Sequence, residues 1–217
     1  KMASGAVYHA ELARGLQRLG LAVENTGTNG IFEIAGVDPA LCSYFSARRH
    51  EIEGELAAAG IENSAAAPAL AAAKARSTRR SKLKTEDDPQ DRHALWRSIA
   101  IARGFAPDRV VETAREHGRA ASDDLTTAEQ DALIRERVDA VPRTLTETRS
   151  VFEHRHLVAE VAAALVGTGA GAERARLEVE RLAASGAVVA LGRDQRWPHP
   201  IHSTPELIAL ERDLRDQ

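Results

Sequence analysis

The chain contains a single cysteine, Cys42, in 217 residues. That excludes an internal disulfide and any cysteine-built metal site, and it points to a reducing cytoplasm. Aromatic residues amount to only 4%, so cores must be assembled mostly from Leu, Val, Ile and Ala on helices. No apolar run reaches the roughly 20 residues needed to cross a bilayer, and no secretory leader is visible, so no membrane partner is expected. The phosphate-loop pattern G-x-x-x-x-G-K-[ST] is missing, which leaves ATP binding unsupported. No carboxylate pair stands out, and neither Tyr8 nor Tyr44 has a base or metal cluster in its neighbourhood, so both read as packing residues. An initiator methionine is missing too. The opening stretch KMASGAVYHAEL sets a helical pattern almost at the first residue, which reads as a piece cut from a longer protein.

What is present is enough apolar residue, 43%, for one large domain or two small ones. Tyr8, Leu12, Leu16 and Leu19 recur at helical spacing, and Gly20 supplies a stop. The stretch LAVENTGTNGIFEIAGV then alternates around Asn29-Gly30 and predicts a β-hairpin. Asp38-Pro39 is an N-cap with proline at the first helical position. The helix it opens runs to Gly60 and stacks Leu41, Phe45, Ile52 and Leu56. At about 100° per residue, Arg48 and Arg49 flank that stripe on opposite sides.

After Gly60 the composition swings from basic to acidic, as in a linker or a loosely packed helical arm. Asp88-Pro89 reopens a helix expected to bury Leu95, Trp96 and Ile99 and to end near Gly104. A short helix from Pro107 carries Val110 and Val111 and ends before Gly118. Thr126 and Glu129 form a capping-box pair ahead of Leu133, Ile134 and Val138, and Pro142 closes that helix. From Val151 a short strand runs into a helix, and a second helix puts Leu177 and Leu182 inward. Two strands around a long polar turn follow, then a final helix capped by Ser203 or Thr204. Two helices followed by a hairpin is a winged-helix-like layout. The fold expected is mainly α with small β-hairpins (α+β), without internal repeats.

Candidate chemistry is sparse. His154 and His156 have H-x-H spacing, but at the start of a helix they point about 200° apart and read as surface histidines. His199 and His202 fall on opposite faces of a strand. GTGAG, Gly167 to Gly171, follows a helix and lacks the lysine of a phosphate loop, so it reads as a helix–helix turn. Cys42 reads as an inert core thiol. KARSTRRSKLK is different. Its six bases, Lys74, Arg76, Arg79, Arg80, Lys82 and Lys84, stand in eleven residues of a chain whose formal net charge is −3. Such a run is either a solvated linker face or a set of phosphate contacts, and composition does not separate the two. Trp197, beside Arg193 and Arg196, is a second possible contact, or else a ring lying across its own hairpin.

Several stretches, in order, carry a family likeness. GAVYHAELARGLQRLGLAVENTGTNGIFEIAGV, FSARRHEIEGEL, Thr78-Arg79 with Lys82, and LWRSIAIARG resemble the conjugative relaxase–helicase family of the TraI/TrwC (MobF) type. They match the part of its relaxase domain that follows the metal-binding histidines. VFEHRHLVAEV with IHSTPELIALERDL is similar to the segment that introduces the helicase half. The family's nucleophilic tyrosines, histidine triad and Walker motifs have no counterpart here. Glu153 and His156 stand where the family pattern has Thr or Ser and an acid, which weakens that helix start.

The resemblance implies a non-catalytic piece in three parts. Residues 1–60 would be the C-terminal portion of a relaxase-like core, 61–147 a basic and acidic linker with helices, and 148–217 a winged-helix-like start of a helicase region. It implies single-stranded DNA as partner, together with the remaining relaxase and helicase domains, in the cytoplasm. Arg48, Arg49, Lys74, Arg76, Arg79, Arg80, Lys82 and Lys84 would contact phosphates, joined by Arg193, Arg196 and Trp197. No cofactor is expected within the chain, since the family's divalent metal belongs to its relaxase site and its ATP and Mg to its helicase. The alternative is a protein-interaction module that docks on conjugative secretion or coupling proteins, which the slight overall acidity favours. A third possibility is an independent duplex-binding winged helix in residues 148–217.

Overall fold

A computed structural model of the chain describes residues 2–61, 70, 73, 89–122, 126–147, 149–194 and 197–216. It is mainly helical with two small antiparallel sheets, as expected. In chain order the elements are α1 (Met2–Arg18), β1 (Val23–Asn25), β2 (Phe32–Ile34), α2 (Pro39–Phe45), α3 (Ala47–Ala57), α4 (Pro89–Ala102) and α5 (Pro107–Ser122). They continue as α6 (Thr127–Asp139), α7 (Val141–Thr146), β3 (Phe152–Glu153), α8 (His154–Ala164), α9 (Ala172–Ala184), β4 (Val189–Asp194), β5 (Trp197–Ser203) and α10 (Pro205–Asp216). Two compact units divide the chain, residues 1–36 with 113–217 and residues 37–112.

The first unit is built around the packing of α1 on α8. Its buried face is the alanine face, with Ala6, Ala10 and Ala13 each no more than 1% exposed. Tyr8, Leu12 and Leu19, expected to point inward, are instead 62%, 41% and 71% exposed. Small side chains let two helices approach closely, and each buried methyl group contributes about 0.8 kcal/mol. Around this contact Val138, Leu157, Val161, Ala162, Leu165 and Leu182 complete the core.

Polar side chains of α1 then fix the turn after α8. Gln17 Nε2 donates to the Gly167 carbonyl at 3.0 Å, and the Gly169 N–H donates to Gln17 Oε1 at 3.1 Å. The Ala172 N–H donates to Glu11 Oε2 at 2.9 Å, so a carboxylate sits at the N-terminus of α9. That hydrogen bond, followed by one from Arg14, holds the Glu11 carboxyl below its ordinary value. GTGAG is thus the helix–helix turn its sequence predicts, with Gly167 and Gly169 at φ 82° and 78°. On α9 only half of the expected pair is inside: Leu182 is buried, while Leu177 lies on the outer face. The inner face instead carries Glu178, 4% exposed, clasped by Arg174 Nε at 2.8 Å and Arg181 Nε at 2.5 Å. Those arginines also reach Asp131 at 2.9 Å and Asp139 at 2.6 Å, which ties α9 to α6.

The hairpin forms where expected, with Val23 opposite Ile34 and Asn29 in the left-handed region at φ 60°. The second sheet has the order β3–β5–β4, pairing Phe152 with His202 and Val189 with Ser203. Bulges around Gly192, φ 93°, bend β4. Thr204 caps α10 by accepting from the Leu207 N–H at 3.4 Å. The Thr126–Glu129 capping box is present, and Glu129 Oε2 accepts from the Thr126 N–H at 2.8 Å. Pro142 does not close α6, which ends at Asp139, but opens α7. Nor is the start of α8 weak. His156 Nδ1 takes the place of the family acid and accepts from the Glu153 N–H at 3.3 Å.

In the second unit Asp38 Oδ1 accepts from the Ala40 N–H at 2.8 Å, as an N-cap should. The single helix expected from Pro39 to Gly60 is two, broken at Ser46, whose hydroxyl donates to the Cys42 carbonyl at 2.7 Å. A side chain that bonds its own backbone competes with continuation of the helix. Leu56 is buried, whereas Phe45 is 41% exposed. On α4 the inward residue is Ala100, and Leu95 and Trp96 are 55% and 51% exposed rather than buried.

One glycine changes its meaning. Gly118 was expected to stop α5, but the helix continues to Ser122. A Cβ on Gly118 would lie 1.8 Å from the Gly20 carbonyl oxygen, so the glycine allows two backbones to touch. Gly118→Ala should therefore destabilise the chain by about 1–3 kcal/mol. Gly54→Ala, inside α3 where a Cβ meets nothing within 4 Å, should stabilise by about 1 kcal/mol. Chemical denaturation of the two variants beside the parent chain checks both signs.

Candidate nucleic-acid interface

The cations singled out from the sequence fall in three places. Lys74, Arg76, Arg79, Arg80, Lys82 and Lys84 lie outside the described residues, as does Arg196. Arg48 and Arg49 sit in the first turn of α3, just after the break at Ser46. Arg193 is on β4 and Trp197 opens β5, and the pairing of Asp194 with Trp197 brings both to one end of the hairpin.

The second unit holds a cleft that the sequence reading missed. Leu41 and Phe45 of α2, His93, Trp96, Arg97 and Ala100 of α4, and Pro107, Asp108, Val110 and Val111 of α5 line about 590 Å³. At its edge Arg97 makes two bonds to Asp108, at 3.0 Å and 2.5 Å. The hydrogen bond from Arg97 holds the Asp108 carboxyl below its usual range. The neighbouring Tyr44 and Phe45 rings meet edge to face at 5.3 Å, and the Arg103 guanidinium stands 4.3 Å above Tyr44. One signal of the cleft was available in the sequence. Leu95 and Trp96 are adjacent in a helix, so one narrow buried stripe cannot hold both.

The first unit offers a different surface on α9. Arg176 is paired with Glu173 at 2.7 Å and Glu180 at 2.5 Å, and Arg174 and Arg181 are engaged by Glu178, Asp131 and Asp139. The arginines of this helix are therefore compensated by acids of the same unit. No helix among the described residues is long and apolar enough to cross a membrane.

The histidines gather at the β3–α8 junction without forming a ligand set. His202 stacks on Phe152 with ring centroids 6.0 Å apart, and His154 lies 5.8 Å from His202. Among the described residues no group of three or more His, Cys, Asp or Glu is placed to hold a metal ion.

The TrwC relaxase family matches residues 1–103. The multifunctional conjugation protein TraI of Escherichia coli is 26% identical over 221 aligned positions, which take in all of this chain and 12% of that protein. No solved structure matches the chain.

The junction makes a prediction about pH. Burial, reinforced by Arg149 and Arg155 for His156 and by His154 for His202, holds both imidazoles below the ordinary value of 6.5. The unfolded chain then takes up protons first, so the stability these groups confer is complete above pH 6.5 and is lost as pH falls below it. Tm should drop between pH 7.5 and 5.5, and His202→Phe, which keeps an aromatic ring beside Phe152, should reduce that drop.

Proposed function

This chain is related to the TraI/TrwC-type relaxases, and from that premise we propose that it holds single-stranded DNA during conjugative DNA processing without performing chemistry itself. The observation that carries the reading is the coincidence of the basic run with the family match: all six cations from Lys74 to Lys84 fall within residues 1–103. In this reading they contact successive phosphates of one strand, assisted by Arg48 and Arg49. Arg193 of β4 and Trp197 of β5, with Arg196 beside them in the sequence, form a lesser contact. The chain acts in the cytoplasm as the part that joins a relaxase core to a helicase, and it fixes the geometry between nicking and unwinding.

The C-terminal module supports a second role. The order helix, strand, helix, helix and hairpin, with strands arranged β3–β5–β4, suits a winged helix. In that reading α9 would be the helix that faces a duplex, yet each arginine of α9 is paired with an acid. That compensation favours contact with protein, such as a component of the conjugative secretion machinery, over an independent duplex binder.

Fluorescence anisotropy with a labelled single-stranded oligonucleotide tests the main reading. Affinity should fall steeply with salt. Replacing Arg79, Arg80 and Lys82 by alanine should weaken binding and reduce the slope of log K against log salt by about 2. Binding indifferent to salt, or unchanged in the triple variant, would contradict it.

A further inference from the structure

We propose that the cleft between α2, α4 and the start of α5 is a subsite for one nucleobase of a single strand, with Trp96 as its stacking wall. The inference rests on the single-strand reading above and names a site which that reading lacks.

Four of the chain's eight aromatic residues, Tyr44, Phe45, Trp96 and Phe105, fall in the second unit. In a sequence so poor in aromatics they belong in a core, yet Tyr44, Phe45 and Trp96 are 37%, 41% and 51% exposed. An indole half in water, set in a concave apolar wall of Leu41, Phe45, Ala100, Val110 and Val111, has the shape and chemistry that hold a flat ring. At about 590 Å³ the cleft has room for one base and its sugar.

Charge selects a nucleic acid over an apolar peptide. The acid at the rim, Asp108, is neutralised by Arg97 and so does not repel a phosphate. Arg103 over Tyr44 adds a cation–aromatic stack beside the cleft. In the sequence the six-cation run stands shortly before α4, the helix that carries Trp96. Aromatic platforms joined to cations that track a backbone are how proteins bind single strands without reading their sequence.

The test uses the full chain with Trp197→Phe, which leaves Trp96 as the one remaining tryptophan; all comparisons stay within that background. Oligothymidylate should quench Trp96 emission with the same midpoint that anisotropy gives for a labelled strand. Trp96→Ala should weaken binding about tenfold, whereas Trp96→Phe, which keeps a stacking ring, should stay within about threefold. If anisotropy reports binding while Trp96 emission does not respond and Trp96→Ala binds as tightly as its parent, the subsite is wrong and the single-strand reading survives. If no strand binds, both fail. Emission that follows protein concentration rather than oligonucleotide concentration assigns the cleft to a second copy of the chain and overturns the proposal.

Discussion

The first unit depends on the alanine face of α1 lying against α8. Ala6, Ala10 and Ala13 have no bulk to hold the helices apart, and the closeness they allow sets everything downstream. It brings Glu11 and Gln17 within hydrogen-bonding reach of the turn from Gly167 to Ala172, which places the first residue of α9. The position of α9 in turn puts Glu178 where Arg174 and Arg181 can enclose it and span to α6. A buried carboxylate is costly alone; here its two guanidinium partners also make the connection between helices. The close approach of Gly118 to Gly20 is a second contact of the same kind, in which the absence of a side chain is the structural requirement.

The second unit follows another logic. Its described core is slight, with Leu56 and Ala100 buried, and three of its aromatic residues, Tyr44, Phe45 and Trp96, lie at the surface. Side chains that would stabilise a core most are left half in water beside cations, and Arg97 and Asp108 tie α4 to α5 by an exposed pair that contributes little to stability.

Helix ends were the most legible feature of the sequence, because capping is local. Asp38-Pro39, Thr126 with Glu129, Thr204 and the glycines of GTGAG all do what their chemistry predicts. Helix faces were less legible. Tyr8 and Leu12 on α1, Leu19 just after it, Leu95 and Trp96 on α4, and Leu177 on α9 satisfy a helical period yet lie outside. A period says which residues share a stripe; which stripe is buried depends on the partner, and alanines won on α1 because α8 had to come close. The helix expected to run from Pro39 to Gly60 breaks at Ser46 through a local side-chain bond, and Gly118 continues its helix because of a tertiary contact. The likeness to the relaxase family was legible from short strings such as YHAEL, FEIAGV and FSARR. The aromatic cleft showed only in the adjacency of Leu95 and Trp96, since it is assembled from three helices whose apolar residues looked like core.

The most direct measurement is hydrogen–deuterium exchange of the full chain with and without a single-stranded oligonucleotide. The account predicts slowed exchange across Lys74–Lys84 and along α4, with α9 unchanged. Protection on α9 without any between residues 74 and 102 would contradict it.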